Sequence, residues 1–171
     1  MGRKMKGAIV KRRIGFYLLI CSLIVWVQPA FSHCEIPCGI YNDEARIERI
    51  EEHITTIEKS MNMIIELSKE KDKNYNQIVR WVNNKETHAN LLQHIISQYF
   101  MTQRIKIGNE QNKGAYAKYA GELILLHKML VYAMKAKQST DLAVVEELRV
   151  LLSRFKASYF GLETKEHKGS H

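Results

Sequence analysis

The chain has 171 residues, with 26 Lys and Arg against 18 Asp and Glu, a formal charge of +8. With 46% hydrophobic residues, nine glycines and two prolines, it is neither a disordered chain nor a loop-rich disulfide scaffold. The charge suggests nucleic acid until its distribution is read: residues 1–32 hold six basic residues and no acid, which leaves 20 basic against 18 acidic in the remainder. A nearly neutral remainder excludes a nucleic-acid binder, and its length fits one domain with a single core.

Residues 1–32 have the three-part layout of a secretory signal. A basic stretch ends at Arg13, an uncharged run IGFYLLICSLIVWV covers 14–27, and Ala30 and Ser32 form an A-x-S cleavage site. The run is shorter than the roughly 20 residues that cross a bilayer as a helix. The expectation is therefore cleavage before His33 and export, to the periplasm or outside the cell, with a mature form not embedded in a membrane. Leader processing inside the cytoplasm is the alternative route.

Cleavage there exposes His33-Cys34-Glu35-Ile36-Pro37-Cys38-Gly39-Ile40-Tyr41. The His33 amine, the Cys34 amide nitrogen and the Cys34 sulfur are consecutive along the chain and can form fused chelate rings. Cys38 supplies a fourth donor after a reversal shaped by Pro37 and Gly39. Two nitrogens and two thiolates suit a metal that favours a square plane, nickel or copper, better than tetrahedral zinc. The same C-x3-C spacing serves a Cys34–Cys38 disulfide in an oxidising compartment. An exported helical protein that only binds or delivers metal, or a disulfide-closed module, thus stands beside an enzyme.

This segment resembles the nickel hook of nickel-containing superoxide dismutases, H-C-x-x-P-C-x-x-Y at the mature N-terminus, and agrees at all five fixed positions. The resemblance extends to Ala45–Glu48 (Ala-Arg-Ile-Glu) and more loosely to Ser97–Phe100 (Ser-x-Tyr-Phe). It implies a dismutase converting superoxide to dioxygen and hydrogen peroxide with a nickel ion held by His33, Cys34 and Cys38. Pro37 shapes the hook, Glu48 orients the axial His33 ring, and Tyr41 and Tyr99 wall the metal. The resemblance also implies a homo-oligomer, a hexamer of helical bundles. Departures are Glu35 in place of the more usual Asp, a connection to Ala45 one residue shorter, and a spacing to Tyr99 about four residues shorter. His88 stands where many members place an arginine, and Met101 where many place a lysine.

The remainder reads as helices. Ile47, Ile50, Ile54, Ile57, Met61 and Ile64 recur at intervals of three and four, predicting a helix over 43–70. Asn74 with Gln77 resembles a capping box opening a second helix to about 105, with Leu91, Leu92, Ile95, Ile96, Tyr99 and Phe100 on its apolar positions. The polar stretch 106–114 reads as a loop. A third helix covers about 115–137, with Met129 and Met134 as core filling, and Ser139-Thr140-Asp141 starts a fourth that uses Leu142, Val145, Leu148, Leu152, Phe155 and Tyr159. The fold class is all-α: a hook at 33–41, an antiparallel four-helix bundle over 42–162 and a polar tail at 163–171. His53 and His127 stand isolated in this pattern, and His88 and His94 fall on different faces of one helix.

Overall fold

The computed structural model describes residues 40–161. The leader, His33, Cys34, Pro37, Cys38 and the tail 163–171 lie outside the described residues. All the helices belong to the unit Gly39–His171. They are α1 (Asp43–Lys69), α2 (Tyr75–His94), a π-helical segment continuing α2 (Ile95–Arg104), α3 (Lys113–Gln138) and α4 (Leu142–Phe160). No strand occurs among the described residues, and no helix there is long and apolar enough to cross a membrane.

Each helix starts on a side chain able to accept a backbone N–H, which satisfies one of the donors left unpaired at a helix N-terminus. Asn42 accepts from Ala45, Asn74 from Gln77, Asn112 from Ala115 and Asp141 from Ala143. The Asn74 half of the expected capping box is thus present. At the far end, Gly161 closes α4 at φ +69°, a left-handed conformation that glycine adopts without steric cost.

Cross-helix bonds give the register. His53 faces His88 while Ser60 accepts from Asn84, so α1 and α2 run in opposite directions. Gln93 reaches the Leu130 carbonyl while Lys85 reaches that of Ala136, which sets α2 against α3 in the same way. Glu51 and Glu58 of α1 pair with Lys156 and Arg149 of α4, closing the ring. The result is an up-and-down bundle. The α1 seam is buried along its whole predicted length, from Ile47 to Ile64.

Burial departs from the periodic reading at three places. Leu91, Met134 and Leu142 are exposed rather than core residues. Each sits at the margin of its apolar stripe, where a helical repeat alone cannot say how far the neighbouring helix reaches. The second helix also changes pitch. After His94 the bonds lengthen to i→i+5: the Ile105 N–H meets the Phe100 carbonyl at 2.8 Å, and the Thr102 hydroxyl donates to the Ser97 carbonyl at 2.7 Å. With the wider winding, Ile95, Ile96, Tyr99 and Phe100 are all buried in one stretch. Met101 packs partly buried against the core.

Candidate active site

The chain enters the bundle at Tyr41, Asn42 and Asp43, and three distant side chains converge on the Asp43 carboxylate. The Tyr99 hydroxyl donates to Oδ1 at 2.6 Å, and the Tyr159 hydroxyl to Oδ2 at 2.8 Å. Arg104 grips both oxygens, with Nε to Oδ1 at 2.8 Å and Nη2 to Oδ2 at 2.7 Å, the parallel fork that suits guanidinium to carboxylate. The node joins the start of α1, the π segment and the end of α4.

Burial would raise the Asp43 pKa, but hydrogen bonds from Arg104, Tyr99 and Tyr159 outweigh it and hold the carboxyl below its usual value. The phenols move the other way. Burial and then the Asp43 charge raise Tyr99, and the same causes push Tyr159 up to about 12. Both phenols therefore keep their protons at neutral pH and direct them at Asp43.

Above this node lies the tyrosine pair. Tyr41 is 43% exposed, so it is not a plug in the core, whereas Tyr99 is buried. Their rings meet edge to face with centroids 6.1 Å apart. The Arg104 guanidinium sits 4.2 Å from the Tyr41 ring centre and that of Arg46 lies 5.0 Å from the Tyr99 ring. Beneath, Tyr99, Phe100, Phe155 and Tyr159 form a continuous aromatic contact into the core.

Glu48 lies on the exposed side of α1 between two grooves. One, of about 470 Å³, is shared with Glu44, Ile47, Lys156 and Phe160. The other brings Glu48 alongside Arg49, Glu52, His53 and His88. His53 is not isolated, contrary to the sequence reading: its Nδ1 lies 3.0 Å from Nδ1 of His88, across 35 residues of chain. One ring nitrogen must carry the shared proton while the other accepts it.

Burial, then the proximity of His88 and of Arg49, lower the His53 pKa, and Glu52 opposes this weakly. The folded state thus holds fewer protons than the unfolded chain near pH 6. By linkage the neutral His53 contributes its stabilisation fully above the unfolded value of 6.5, and this contribution is lost as pH falls through the lowered folded value. Urea melts from pH 7.5 to 5 should show stability dropping on the acid side, and His53→Leu should flatten that limb. An unchanged acid limb in the variant would mean that other groups set it.

Among the described residues no group of three or more His, Cys, Asp or Glu converges as a metal site. The sequence model of the family "nickel-containing superoxide dismutase" matches residues 28–165, which span the hook motif and all four helices. The chain belongs to the nickel-containing superoxide dismutases. It is an oxidoreductase acting on superoxide, and its cofactor is nickel. No match was found among curated proteins or among solved structures.

The hook's donors fit this metal. With cleavage before His33, an amine, an amide nitrogen and two thiolates would be available as an anionic, soft-donor set of the kind that stabilises oxidised nickel, and the imidazole of His33 would offer a fifth donor. Of the residues read from the sequence as a site, the structure brings Tyr41 and Tyr99 together and sets Glu48 on the same end of α1. Asp43, Arg104 and Tyr159 escaped the sequence reading. Asp43 looks like one more acid in a helix's first turn, and nothing local distinguishes it from Glu44.

Proposed function

We propose that this dismutase works at a nickel centre built on the mature N-terminus, with His33 giving its amine and imidazole, Cys34 its amide nitrogen and thiolate, and Cys38 the second thiolate. The observation that carries this reading is the coincidence of an A-x-S cut with the motif H-C-x-x-P-C-x-x-Y immediately after it. When bound, nickel supplies the Ni(II)/Ni(III) couple through which one superoxide is oxidised to dioxygen and a second is reduced. The remaining work falls to the chain. Pro37 shapes the reversal that returns Cys38 to the metal, and Glu48 orients the His33 ring and raises its basicity. Tyr41 and Tyr99 wall the centre and limit what approaches it.

Forming hydrogen peroxide requires two protons. Tyr41, the more exposed of the two phenols, borders solvent and is placed to relay them. Export after removal of residues 1–32 and assembly into a homohexamer complete the proposal. The first rests on the leader's three-part layout and the second on family resemblance.

The test is to purify the protein from its own cells, sequence its N-terminus, measure its metals and assay superoxide removal. The expected result is a chain starting at His33 with about one nickel per chain and two thiols that are free once the metal is removed. A terminus elsewhere, or an active form with Cys34 and Cys38 joined as a disulfide, would overturn the assignment of ligands.

A further inference from the structure

The two tyrosines are held by one carboxylate, and in different ways. The Tyr99 hydroxyl has a single proton, which is committed to Asp43 Oδ1 at 2.6 Å. The Tyr99 hydroxyl oxygen in turn accepts the Asn42 backbone N–H at 3.1 Å. Tyr99 therefore has no proton to offer a ligand. Tyr41 is fixed through its ring, between the edge of Tyr99 and the face of the Arg104 guanidinium, and Arg104 is itself oriented by its two bonds to Asp43. Tyr159 braces the second carboxylate oxygen from α4.

We propose that Asp43 and Arg104 are positioning residues for the tyrosine pair: Asp43 locks Tyr99 by taking its phenolic proton, and Arg104 locks the Tyr41 ring while leaving its hydroxyl as the one directed to substrate. This rests on the reading of Tyr41 and Tyr99 as the walls of the nickel centre. The roles of the two phenols then divide. Tyr99 is a fixed surface and Tyr41 is the proton-bearing group. The pKa directions agree, since Tyr99 is raised by its bond to Asp43.

The division is tested on the nickel-loaded mature protein, with rates expressed per bound nickel at a temperature where every variant is folded. Asp43→Asn keeps the size of the side chain but removes the charge that orients Arg104. It should slow turnover about 10-fold, the scale on which small misplacements of active-site groups act. With ring-labelled tyrosine followed by NMR, Tyr99 and Tyr159 should titrate above the ordinary phenol value in the parent, and both should move down in Asp43→Asn while burial keeps them raised. Arg104→Lys retains a charge and one bond to Asp43 but not the guanidinium over the Tyr41 ring. Tyr99 should then keep its parent resonance while that of Tyr41 shifts and the rate falls.

A purely structural node would lower the melting temperature of these variants and leave the per-nickel rate and the Tyr41 resonance unchanged, which would overturn the proposal. Tyr41→Phe separates the two layers of argument. If it is slow while Asp43→Asn and Arg104→Lys are not, the tyrosine wall stands and the positioning role falls. If Tyr41→Phe itself turns over at the parent rate, the reading of the wall is wrong and the positioning proposal falls with it.

Discussion

A mature chain carrying one additional residue ahead of His33 is expected to lose superoxide dismutase activity by more than about 100-fold. The outer partners of metal ligands are worth about 10–100-fold, and the extension would remove a proposed ligand itself. It converts the His33 amine into an amide nitrogen, which binds metal only as an anion, and it moves the imidazole away from the chain end. Nickel is not required to leave, because the two thiolates of Cys34 and Cys38 remain. The decisive measurement is therefore the rate per bound nickel and not the nickel content. The bundle should be indifferent to the change, since its first helix starts from the Asn42 cap, nine residues further on. Thermal melts of parent and extended chains are expected to superimpose. Parent-level activity in the extended chain would show that the amine is not a ligand.

The contrast between hook and bundle explains what could be read in advance. The proposed chelation by His33 and Cys34 would use atoms adjacent along the chain, so that proposal can be drawn from residue order alone. The α1 seam is legible for a related reason, because residues three and four apart share a helix face whatever lies opposite. The Asp43 node offers no such signal. Its partners Tyr99, Arg104 and Tyr159 stand 56, 61 and 116 residues away, and they meet only after α1, the π segment and α4 have packed. The pairing of His53 with His88 is hidden in the same way. The winding of the second helix is hidden as well: a repeat of 3.6 already assigns Ile95, Ile96, Tyr99 and Phe100 to the apolar face, where they are found buried, so the pattern gives no sign that 95–104 is π-helical.

Lys85→Met is expected to destabilise the bundle strongly while leaving the hook sequence untouched. Lys85 is buried on α2, and its ammonium donates to the carbonyls of Ala136 and Lys137 at 2.7 Å and of Ser139 at 2.8 Å. These carbonyls lie at the C-terminal end of α3, where the last turn has no N–H partners of its own and the helix dipole presents its negative end. One cation from another helix thus caps α3 and fixes the turn into α4. Burial lowers the Lys85 pKa, and the three carbonyls are what make a buried ammonium tolerable. Methionine has a stem of similar length and preserves much of the packing, so the loss isolates the charge and its three bonds. Carbonyls left without partners cost about 1–3 kcal/mol each, and water reaching the helix end recovers part of this. A net destabilisation of about 3 kcal/mol follows. In a domain of this size that corresponds to a melting temperature lowered by roughly 10 °C. Lys85→Arg should lose less, because it retains charge and donors but must fit a bulkier head into the same space. A Lys85→Met chain that melts with the parent would mean that solvent already satisfies the α3 carbonyls and that the α3–α4 turn is held by the core alone.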